Sequence, residues 1–185
     1  MKKKGLALVL ALTLVVVGIV SGTLAWLTAK TDSVVNTFTT SDIKVKLVET
    51  KTDFKMVPGY TIEKDPIATV EANSEKCYLF VKLEKSDNLD SYISYEMADG
   101  WAELKEGSGV YYRIVNASNV DQSFSVLKGD KVSVRGEVTK DMMTAAETSK
   151  PTMTFTVYAA QYMKSNTENF TPAQAWENVN PSTTP

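Results

Sequence analysis

The feature that most constrains this chain is an apolar/polar alternation of period two, recurring in short runs that turn-forming residues close. Between Asp42 and Glu49, Ile43, Val45 and Leu47 share one parity, and Lys44 and Lys46 take the other. Residues Ile67 to Ala72 repeat the pattern. From Thr152 to Met163 it returns again, with Met153, Phe155, Val157 and Ala159 opposing Thr152, Thr154, Thr156 and Tyr158. Successive side chains of a strand point to opposite faces, so each run predicts a strand with one face buried. Cys77 to Leu83 is apolar on both parities, which predicts a strand central in its sheet.

The punctuation is equally regular. Val57-Pro58-Gly59 and Asn73-Ser74-Glu75 carry turn chemistry, because proline presets the first turn angle and glycine accepts the second. Lys128-Gly129-Asp130 separates Phe124–Leu127 from Lys131–Val138 and reads as a hairpin turn. The stretch from Lys85 to Gly109 is the least regular, with a strand expected over Tyr92–Met97 and with Trp101 and Leu104 over the edge of the core. Thr139 with Asp141 behind it predicts a short helix. Thr171-Pro172-Ala173-Gln174 has the threonine, proline and glutamine of a capping box and predicts a second. Eight or nine strands and two brief helices predict an all-β fold, a two-sheet β-sandwich over residues 41–180 of either jelly-roll or immunoglobulin-like strand order, with a frayed tail at 181–185.

Composition narrows the chemistry. The 185 residues include no histidine and one cysteine, Cys77. Zinc sites of the His-Glu-x-x-His kind, Ser-His-Asp triads and Cys-His dyads therefore have no residues to build them. No intrachain disulfide can form. Asp87, Asp90 and Asp99 lack the spacing of a calcium loop and read as solvated loop acids. The formal net charge of −2 argues against a nucleic-acid partner, which demands a basic face. The chain is expected to be non-enzymatic, without metal or cofactor.

The N-terminus supplies the functional signal. Lys2-Lys3-Lys4, an apolar run from Leu6 to Val20 and the exit Ser21-Gly22-Thr23-Leu24-Ala25 make the three parts of a secretory signal helix. Thr23 and Ala25 suit the minus-three and minus-one positions, which places the cut between Ala25 and Trp26. The alternative is an uncleaved anchor, since Leu6 to Leu27 is long enough to span a bilayer. Residues 26–40 that follow are rich in threonine and β-branched residues and read as an extended mature N-terminus.

Gly22-Thr23-Leu24-Ala25-Trp26-Leu27, then Asn36-Thr37-Phe38-Thr39 and the strand Ile43–Leu47, resemble the TasA/camelysin family. Pro58-Gly59 with Thr61, Phe80-Val81-Lys82, Phe155–Ala159 and Ala175-Trp176 extend the likeness over nearly the whole chain. The resemblance implies a jelly-roll-like two-sheet β-sandwich exported to a Gram-positive cell surface or biofilm matrix, cut by a SipW-type signal peptidase and touching the membrane only through its signal segment. It further implies head-to-tail self-assembly into fibres, alongside other matrix proteins. The freed segment 26–40 would add as a strand to the next subunit, with Val34, Val35 and Phe38 filling its pockets. Some relatives have been called metalloproteases; without histidine, this chain departs from any such role. Two other readings stand beside the fibre. One pairs residues 33–40 within their own domain. The other is a monomeric or anchored binding module using Trp101, Tyr111 and Tyr112.

Overall fold

Ten strands are laid down between Val45 and Gln161 in the computed structural model, which describes residues 43–180. The expected signal segment, the cleavage residues Thr23, Ala25 and Trp26, the donor residues Val34, Val35 and Phe38, and the tail lie outside the described residues. All ladders are antiparallel, in three sheets: β1(Val45–Val48)-β3(Ile67–Val70)-β8(Gln122–Ser125); β10(Met153–Gln161)-β4(Cys77–Lys85)-β7(Val110–Val115)-β6(Ala102–Glu103); and β2(Thr61–Glu63)-β9(Lys131–Val134)-β5(Ile93–Ser94). The fold is mostly β with few short helices, as the alternation predicts.

The strand buried on both parities is central. Leu79, Val81 and Leu83 of β4 enter a core shared with Ala68 and Val70 of β3, Val132 and Val134 of β9, and Phe155 of β10. All three sheets thus close on one apolar interior. Tyr78 and Phe80 point the other way, into a smaller cluster roofed by the helix α3 (Pro172–Val179). Thr171 and Gln174 make the predicted capping box. Trp176 then packs 5.3 Å from the Phe80 ring and 5.1 Å edge-on to Tyr158. Covering side chains of this size stabilises by roughly 1.5–3 kcal/mol each. Cys77 is fully buried and unbonded, and burial pushes its thiol up to about 11.

Two expectations need correction. Lys128-Gly129-Asp130 does not make a hairpin: β8 pairs with β3, whereas β9 pairs with β2 and β5. The three residues form a 3-10 turn with Gly129 and Asp130 at positive φ, and the chain leaves it still following the strand pair β2 and β3. Val126 and Leu127 are both fully buried, so two consecutive side chains point inward and the break is a kink within one strand path, not a reversal. Bonds from Lys64 N to Asp130 O (2.9 Å) and Val126 N to Pro66 O (2.9 Å) carry the pairing across it. The second correction is local. Tyr92 ends a one-turn helix, α1 (Leu89–Tyr92), so the strand expected from there shrinks to β5. Helices α2 (Lys140–Thr148) and α3 then bring the α-helices to three among the described residues.

Candidate functional site: a groove between two free strand edges

Because β4 is central, β10 pairs on one edge only among the described residues. Tyr162 N donates to Lys76 O (3.1 Å) and Ser86 N to Thr152 O (3.0 Å), so the even-numbered residues of this strand bond to β4. Antiparallel pairs alternate. Met153, Phe155, Val157, Ala159 and Gln161 therefore turn their backbone groups away from β4. The same reasoning applies to β2. Val134 N donates to Tyr60 O and Lys64 N to Asp130 O, which leaves Thr61 and Glu63 facing away from β9.

Between these edges lies a groove of about 590 Å3. Its floor is apolar: Ile62 and Val132 from β2 and β9, Leu89 and Ile93 from α1 and β5, and Met143 and Ala146 from α2. Thr139 caps α2 by accepting from Met142 N, and Tyr92 Oη holds the helix against α1 through Met142 O (2.9 Å). Met153 and Thr154 begin the β10 side.

The groove is open because β1 stops early. An extension of β1 past Val48 would continue alongside Lys64 and Asp65 towards the free edge of β2. Glu49 and Thr50 follow that path. The Glu49 carboxylate meets Lys64 Nζ at 2.5 Å, with side chains only 15% and 10% exposed. Thr50 donates to the Asp65 carboxylate from its hydroxyl and its amide, and these two bonds hold Asp65 below the usual carboxylate range. From Lys51 the chain departs. Among the described residues, none from 51 to 56 makes a hydrogen bond, and only Phe54 and Met56 are partly buried. Both line the groove. Lys64 Nζ lies over Phe54 at 5.1 Å and Phe155 at 5.7 Å, a cation held between two rings.

The aromatics offered for ligand binding are committed to packing. Trp101 and Tyr111 pack on the main core and Tyr112 on the second cluster. Trp101 Nε1 donates to Ser125 O (2.9 Å), and its ring faces the Arg113 guanidinium. Asp87, Asp90 and Asp99 do not converge; among the described residues no cluster of three or more metal-ligating side chains occurs. Nor is any helix among them long and apolar enough to cross a membrane.

Sequence reasoning named neither Phe54 and Met56 nor the Glu49–Lys64 pair. A signal was there: Phe54 and Met56 share a parity within the otherwise polar run Lys51-Thr52-Asp53-Phe54-Lys55-Met56. No family model, curated protein or solved structure matches this chain.

Proposed function

We propose that this protein is a secreted structural subunit of a Gram-positive cell surface or biofilm matrix, non-catalytic, and built to polymerise by strand donation. The sheets are read as a jelly-roll-like sandwich, with the sheets of β2 and β3 as one kinked layer facing that of β4. The groove between the free edges of β10 and β2 carries the proposal, because it offers what an incoming strand needs. Unpaired N–H and C=O groups are a template for pairing, and the apolar floor gives alternate side chains somewhere to go.

The donor is residues 26–40 of a second copy, freed by cleavage after Ala25, with Val34, Val35 and Phe38 directed inward. Fully extended, residues 26–42 would reach on the order of 50 Å, enough to bridge to a neighbour. Such a contact joins two different surfaces of successive copies, and where its rotation does not close a ring, repetition gives a filament.

The test is the material released by cells expressing the full-length gene. Its first residue is expected to be Trp26, and electron microscopy is expected to show fibres that deletion of residues 26–38 abolishes. Monomers from both chains would reject the reading.

A further inference from the structure

We propose that Phe54 and Met56 are placeholders: in the free subunit they cover part of the groove that takes Phe38 and Val34 of a second copy, and they move aside when that segment arrives. This inference rests on the strand-donation reading above.

The segment is built to be displaced. Its ends are fixed, by Glu49 to Lys64 and Thr50 to Asp65 on one side and by Gly59 N to Val134 O on the other. Between them, residues 51–56 make no hydrogen bond among the described residues, so departure breaks no ladder and leaves no buried backbone group unpaired. What is lost is the apolar contact of two side chains and the stacking of Phe54 under Lys64, and an incoming Phe38 replaces the ring in kind.

The two segments also match in chemistry. Thr52-Asp53-Phe54-Lys55 and Asn36-Thr37-Phe38-Thr39 each set a phenylalanine after two small polar residues and before another polar one. Val34 has the parity of Phe38, so both point to one side of an extended strand. Lying four residues from Phe38, twice the spacing of Phe54 and Met56, Val34 enters further along the groove while Phe38 takes the place of Phe54. Lys64 suits either occupant. Glu49 keeps its charge paired when Phe54 leaves, and Phe38 restores the ring beside the ammonium group. Val48, Val57 and Tyr60, which flank the segment, are exposed large apolar side chains. They give an arriving strand further surface to cover.

The experiment uses the full-length chain in mild detergent, carrying Phe38→Ala so that its own N-terminus does not compete. Its methionine methyls are labelled with carbon-13, and the probe is a synthetic peptide of residues 29–42. The Met56 methyl signal, assigned through Met56→Leu, is expected to move to the position of an exposed methionine as the peptide saturates. Adding Phe54→Ala is expected to tighten peptide binding about tenfold, because the competitor is gone. A peptide that binds without moving Met56, or that binds no more tightly after Phe54→Ala, overturns the placeholder and leaves strand donation standing. A peptide that binds neither chain overturns both.

Discussion

Gly109 sets the turn between β6 and β7 at φ +67°, and its amide carbonyl accepts from Leu83 N at 2.7 Å. A Cβ there would sit 2.6 Å from the Leu83 carbonyl oxygen, which belongs to the central strand and cannot swing aside. Gly107 has a similar φ of +73° but meets nothing within 4 Å. Left-handed backbone costs an alanine roughly 1–2 kcal/mol at either position; only Gly109 adds the collision, for about 2 kcal/mol more. Gly109→Ala is therefore expected to lower stability by about 3–4 kcal/mol and Gly107→Ala by about 1, read from urea midpoints at unchanged m. Equal losses would mean that close approach to β4 is not what requires glycine at 109. Glycine content alone could not separate the two, because the partner lies far away in sequence.

At the scale of elements, the Glu49–Lys64 pair fastens the end of β1 to the end of β2. Both side chains are nearly dry, so the pair is judged as a buried one: breaking it is costly, while replacing both partners is not. Glu49→Gln strands a lysine between Phe54 and Phe155 and is expected to cost about 2–3 kcal/mol. The double substitution Glu49→Gln with Lys64→Met is expected to lose less than the sum of the singles by about 1–3 kcal/mol. Urea denaturation of all four chains measures that coupling, and simple additivity would show that the pair is not a unit.

Elements whose information is local were legible in the sequence. The Thr171–Gln174 box, the alternation of β1 and the doubly apolar β4 all read true, because each depends on neighbours within a few residues. The kink at Lys128–Asp130 was misread since glycine and a polar neighbour serve a reversal and an in-line break equally well. Val126 and Leu127, side by side and both apolar, were the clue that favoured the break.

For the whole molecule, strand order was not legible. The pairing of β4 with β10 and of β2 with β9 joins segments about 70 residues apart, which no local pattern encodes. The groove shares that fate, being assembled from β2, β5, β9, α1, α2, β10 and the segment after β1. Its two edges make different predictions for assembly, and they can be separated. Thr61 is exposed, opens β2 and turns its N–H away from β9. Proline is tolerated at a free strand edge and removes the donor that a new strand would use. On the proposed strand donation, Thr61→Pro is expected to change subunit stability by less than about 1 kcal/mol while stopping the elongation of the proposed fibres, followed by light scattering and electron microscopy. Elongation at the original rate would move the acceptor to β10, whose Met153 lines the groove and turns its backbone groups away from β4. Loss of stability together with elongation would instead show that β2 needs this N–H for its own fold. The proline thus assigns the growing sheet to one edge of the groove and keeps a folding defect distinct from an assembly defect.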